Sequence, residues 1–203
     1  MTSCWRADSR CAAARGQQPR RQEGRGGGTP RGCGLARPLG HTDVRTYIPS
    51  GNVLFTPRLT YARTAGDSDA AALAAELEQA IADSTGVRAA PRCCPARNLR
   101  ATCTTTRIRV RRPKLLHAVF LPGQPAPGLA AWVASAASHV RANGSRDEAQ
   151  VLGRTVYLHT PDGYPRSELR RVLAKAGGPT SAAVAGTARN WATVSRLVKL
   201  CAA

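Results

Sequence analysis

The stretch V-L-G-R-T-V-Y-L-H-T-P-D-G-Y-P-R-S-E-L-R-R-V-L, residues 151–173, decides the fold. Val151 to Leu158 is largely apolar around Gly153, the pattern of a hairpin that turns near that glycine. Asp162-Gly163-Tyr164-Pro165 marks a turn, and the helix that follows runs to Ala176 with Leu169, Val172 and Leu173 inward. Gly177-Gly178 is its stop signal. A hairpin that feeds a helix through a short turn predicts an α+β protein.

The same alternation continues on both sides. Downstream, Thr187-Ala188-Arg189-Asn190-Trp191 opens the last helix, with Asn190 as N-cap and Val194, Leu197 and Val198 as its apolar stripe. Upstream, Leu129 to Ala142 is helical, with Leu129, Trp132, Val133, Ala136 and Val140 on one face. Leu115 to Leu121 is a compact apolar strand between Pro113 and Pro122. Ser68-Asp69 opens a helix to Asp83, with Leu73, Leu77 and Ile81 buried and Gly86 closing it. Order begins at Leu39, with a strand from Asp43 to Ile48, a turn or bulge at Pro49-Ser50-Gly51-Asn52 and a second strand carrying Val53 and Phe55. Aromatics make up only 4% of the chain, so the core rests on Leu, Val, Ile and Ala.

Two segments interrupt this pattern. The chain has 203 residues and a formal net charge of +18. Residues 1–40 hold eight Arg against Asp8 and Glu23, and residues 87–114 hold eight Arg and Lys114 with no acid. Six of the seven cysteines lie in these segments: Cys4, Cys11, Cys33, Cys93, Cys94 and Cys103. Residues 1–38 lack periodicity and are rich in Arg, Gly and Pro, so disorder is expected there. Residues 88–113 are expected to be irregular. The organisation that follows is a damaged N-terminal α+β half over 39–113 and a C-terminal half over 114–203.

The ordered stretches V-R-T-Y-I-P-S-G-N-V-L-F (44–55), L-H-A-V-F-L (116–121), V-Y-L-H-T-P-D-G-Y-P-R-S-E-L (156–169) and T-A-R-N-W-A-T-V-S-R-L (187–197) resemble a bacterial domain-of-unknown-function family of uncharacterised proteins. The resemblance covers 39–200 apart from 88–113. It implies two ferredoxin-like halves, each an antiparallel sheet with helices, the N-terminal one incomplete here. Members of that family begin with A-L-L-R-G-I-N-V-G-G and carry N-P-[FY]-P before the H-x-x-F-L strand, and both motifs are absent from this chain. Written as TGC GCT GCT GCG CGG GGN, the codons of Cys11 to Gly16 become A-L-L-R-G on loss of one nucleotide. A shifted reading of Cys103 to Val110 likewise allows N-N-P-Y-P. Arg outnumbers Lys 27 to 3, as GC-rich DNA would produce, and both segments read as frameshifted.

Candidate sites follow from local chemistry. Ser50, Gly51 and Asn52 form either an anion cradle, where glycine lets backbone N–H groups approach a ligand, or a plain turn. Arg189, Asn190 and Trp191 present a cation, an amide and an indole at a helix start, or else a cap with Trp191 in the core. The resemblance implies that these motifs share a polar surface. No metal is expected: Cys93 and Cys94 are adjacent, Cys103 stands alone, and no His pair has ligand spacing. His41, His117, His139 and His159 are scattered, and no nucleophile elbow, phosphate loop or dinucleotide fingerprint occurs, so no cofactor is expected.

No apolar run approaches the ~18 residues of a membrane span, and the N-terminus lacks an apolar signal region, so a cytoplasmic, membrane-free protein is expected. The leading functional reading is a small binding protein for an unknown small ligand. Nucleic-acid binding through the Arg-rich segments is the second, although no aromatics are interleaved there for base stacking. An enzyme of unknown reaction is the third.

Overall fold

A computed structural model describes residues 11–13, 32–47, 52–58, 67–86, 91–105, 112–121, 123–175 and 187–202. Among these lie two antiparallel four-stranded sheets. The first consists of β1 (Cys11–Ala13), β2 (Thr42–Tyr47), β3 (Asn52–Thr56) and β4 (Cys93–Pro95), in the order β2-β3-β1-β4. The second consists of β5 (Leu116–Phe120), β6 (Glu148–Leu152), β7 (Thr155–His159) and β8 (Thr187–Asn190), in the order β6-β7-β5-β8.

Helices interleave with the strands in the same way in both. Helix α1 (Gly32–Ala36) lies between β1 and β2, and α2 (Asp67–Thr85) between β3 and β4. After α3 (Ala96–Thr105), α4 (Leu129–Ala142) lies between β5 and β6, and α5 (Glu168–Ala174) between β7 and β8. Helix α6 (Trp191–Ala202) ends the described chain. Each sheet is therefore the ferredoxin-like β-α-β-β-α-β arrangement. The chain divides into two compact units, 1–100 with 197–203, and 101–196.

In the C-terminal unit, β5 and β7 align Val119 with Val156 and His117 with Leu158. Val119, Val156 and Leu158 join Leu129, Val133 and Val140 of α4 and Leu169 and Leu173 of α5 in one core. On the opposite face, Leu116, Ala118 and Tyr157 are also buried. With both faces covered, β5 reads as a nearly continuous apolar run rather than an alternating one. Gly153 has φ 54°, the left-handed conformation that the tight β6–β7 turn needs and that glycine adopts without strain. In the N-terminal unit, Val44, Val53 and Phe55 pack with Ala36, Leu73 and Leu77. Pairing of β2 with β3 shifts register between Thr42 and Arg45, where Asp43 has φ 51° and its carboxylate accepts from the Thr56 hydroxyl at 3.1 Å.

Several expectations change. Residues 1–38 contain β1 and α1, with Ala36 in the core, and residues 88–113 contain β4 and α3, with Ala96 and Leu99 buried. A three-residue strand needs only main-chain partners, so Arg-rich composition does not prevent it. The N-terminal unit is thus not incomplete in topology: all four strands are paired. The units divide at Arg100 rather than at residue 113. Thr187–Asn190, read from sequence as the opening of a helix, is a strand, because β5 offers it an unpaired edge. Residues 176–178, the expected stop of α5, lie outside the described residues.

Leu169 is fully buried, in the core that also holds sheet and α4 residues. Leu169→Ala should cost about 3 kcal/mol through lost burial and a residual cavity. A urea melt followed by circular dichroism checks this, with exposed Arg141→Ala as the control that stays within about 0.5 kcal/mol.

Candidate functional site

The R-N-W motif is occupied by structural work. Asn190 accepts the Thr193 N–H on Oδ1 at 2.8 Å and so caps α6. Trp191 is buried, with its ring 6.0 Å from that of Tyr157. Arg189 is half-buried and donates from Nη1 to the Ala188 carbonyl at 2.8 Å. Of the S-G-N motif, Ser50 and Gly51 lie outside the described residues. Asn52 is 1% exposed and donates from Nδ2 to the Tyr47 carbonyl at 3.2 Å, tying the start of β3 to the end of β2. The two motifs lie in different units, on opposite sides of the division at Arg100.

Polar chemistry instead gathers at one end of the C-terminal sheet. His117 stands near the start of β5, opposite Leu158 of β7 and Asn190 of β8. Its imidazole stacks on Tyr164, with centroids 4.1 Å apart and planes at 25°. The Arg170 guanidinium carbon lies 5.6 Å from the same Tyr164 ring. Nδ1 of His117 and Nε of Arg170 are both buried without a hydrogen-bond partner. Burial pushes the His117 pKa down, only partly offset by the Leu115 carbonyl that accepts from it. The sequence does not show this trio as a cluster: His117 and Tyr164 lie in the stretches 116–121 and 156–169 and Arg170 just after the second, and only β5, a turn and α5 bring them together.

The carboxylates around this end are already engaged. Asp147, 3% exposed, accepts from the Ser167 hydroxyl at 2.8 Å and the Leu169 N–H at 3.2 Å, while Ser167 Oγ accepts the Arg170 N–H at 2.9 Å. Asp162 pairs with Arg146, and Glu168 pairs with Arg171 at 2.7 Å. On the other face of the sheet, Tyr157 donates its hydroxyl to the Thr102 carbonyl at 2.8 Å. Burial drives the Tyr157 pKa up to about 12, so the phenol stays a donor throughout the physiological range.

The N-terminal unit holds a second polar cluster. His41, just before β2, accepts the Arg58 N–H on Nδ1 at 3.3 Å and stacks on Phe55 with centroids 4.7 Å apart. Its Nε2 faces Glu76 Oε2 of α2 at 3.9 Å, and Glu76 Oε1 pairs with Arg58 at 2.8 Å.

The chain belongs to the DUF1697 family of proteins of unknown function, which it matches over residues 33–157. That span includes S-G-N and ends within β7, short of R-N-W. The chain is similar in fold to a solved structure, that of a conserved bacterial protein, SP0830, from Streptococcus pneumoniae. The two share 18% identity with a TM-score of 0.59, over 96% of this chain and 99% of that one. No curated protein matches the chain. Among the described residues, no helix is long and apolar enough to cross a membrane.

Two substitutions separate framework from site. Asn190→Ala should lose the cap of α6 and about 1 kcal/mol of stability. Tyr157→Phe removes the hydrogen bond to the Thr102 carbonyl and should cost about 1 kcal/mol. Chemical denaturation measures both; an unchanged midpoint for Asn190→Ala would leave its amide available for another role.

Proposed function

We propose that the protein binds a small anionic ligand at the polar end of the C-terminal unit, with Arg170 as the main cation and His117 and Tyr164 beside it. The observation that carries this reading is unused hydrogen-bonding capacity. Arg170 keeps a buried Nε–H without an acceptor, while each neighbouring carboxylate (Asp147, Asp162, Glu168) already has partners. A buried donor left unpaired costs roughly 1–3 kcal/mol, which a carboxylate or phosphate oxygen would recover. The four described motif residues enter this reading as frame. Asn190 stands beside His117 across the β5–β8 pair, Arg189 and Trp191 continue that strand into α6, and Asn52 begins β3 of the other unit, while Ser50 and Gly51 lie outside the described residues.

No step of chemistry is assigned, because no nucleophile stands against a base in this cluster. Nucleic-acid binding through the Arg-rich segments is the competing reading, and it draws on charge alone.

Thermal shift and calorimetric titration with inorganic phosphate, nucleoside monophosphates and dicarboxylates test the proposal at constant ionic strength. A ligand at a hundred times its Kd should stabilise the protein by about 2.7 kcal/mol, and Arg170→Gln should abolish that response. No shift beyond a chloride control, or an equal shift in Arg170→Gln, would sink the reading. Binding of oligonucleotides alone, falling steeply with salt, would point to the Arg-rich segments instead.

A further inference from the structure

We propose that His41 is an acid-sensitive latch: protonation of its imidazole releases the end of β3 from the α1–β2 junction, leaving the C-terminal unit's corresponding joint in place.

The geometry fixes the tautomer. The His41 side chain has no exposed surface, and its Nδ1 accepts the Arg58 N–H at 3.3 Å. A nitrogen that accepts carries no proton, so the neutral ring holds its single hydrogen on Nε2. Gaining a proton places an N–H on Nδ1, and two donors then face each other where one hydrogen bond stood. The Arg58 peptide loses its acceptor and the latch opens.

The groups around the ring decide whether that proton is welcome. Glu76 faces it from α2 and Arg58 from the segment after β3; the α1 turn presents the Ala36 carbonyl, which accepts the His41 N–H at 3.3 Å, and β3 presents the Phe55 ring. Among the described residues Glu76 is the favourable partner, but its Oε1 is committed to Arg58 and its Oε2 lies 3.9 Å from Nε2, beyond hydrogen-bond reach. Nε2 and Oε2 are both buried without a hydrogen-bond partner. Burial is the largest influence and lowers the His41 pKa; Glu76 opposes this, and Arg58 adds to it.

The sign follows from linkage. A histidine whose pKa is lower folded than unfolded contributes full stability above the ordinary value of 6.5. That stability is lost as the pH falls from there towards the folded value. The C-terminal unit ties the same place in its fold with Asp147, Ser167 and the Leu169 N–H, and that joint contains no imidazole.

Amide hydrogen exchange on the full chain, corrected for intrinsic rates, reads the latch directly between about pH 7.5 and 5. Protection of the Arg58 amide should fall about tenfold per pH unit below about 6.5, while that of the Leu169 amide holds. The His41 Cε1–H resonance should titrate at the lower end of that range, with its midpoint below the ordinary histidine value. His41→Asn keeps an acceptor near the Nδ1 position but has no proton to gain, so its Arg58 protection should stay flat. Flat protection in the unsubstituted protein, or an equal loss in His41→Asn, would overturn the latch. Should His41→Asn fail to fold, the imidazole resonance decides: if its midpoint lies at or above the ordinary histidine value of 6.5, the proposal is overturned.

Discussion

The constraint on which this fold depends is the attachment of each central hairpin to the second helix of its unit. Hydrophobic burial holds a helix on a sheet but fixes neither its height nor its rotation, because apolar contact is non-directional. Buried polar joints supply that direction. In the C-terminal unit the joint runs from Asp147, just before β6, to Ser167 and the first turn of α5, with Arg146 reaching Asp162 beyond β7. In the N-terminal unit it runs from His41, just before β2, to Arg58 beyond β3 and towards Glu76 on α2. The topological place is the same and the chemistry differs.

What the sequence made legible was the part governed by periodicity. Helix α4 has the bounds expected from its apolar stripe, and Gly153 marks the β6–β7 turn. Strand β8 was missed because four residues opening straight onto a helix cap carry no alternation; its identity comes from the free edge of β5. Strands β1 and β4 were hidden for a related reason. They are held by main-chain pairing with their neighbours, and composition is nearly silent about that. The joint at His41 could not be read either, since its partners, Arg58 and Glu76, come from separate elements.

The site motifs show how capping and packing compete with binding for the same atoms. Asn190 looks like a ligand-reading amide until its Oδ1 is found on the Thr193 N–H, and Trp191 like a stacking platform until it is found in the core. A polar group already satisfied by its own chain must break a bond to serve a ligand, and the net gain is small. Recognition therefore falls to groups with capacity left over. In the C-terminal unit Arg170 Nε and His117 Nδ1 have that capacity, and neither lies in the S-G-N or R-N-W motif.

The paired joints also explain why two units of one topology need not behave alike. Their strand orders coincide and their cores rest mainly on Ala, Val and Leu, with Phe55 added in the N-terminal one, so apolar burial sets a similar framework for each. The energy of a buried polar joint, in contrast, depends on which protonation state its bonds require. A carboxylate that only accepts works in its ionised form, whereas an imidazole that accepts works only in its neutral form. Placing histidine at one joint and aspartate at the other thus gives the two units different dependence on protons without altering a strand. Of these two joints, the one whose bond needs a neutral imidazole is the more sensitive to acid.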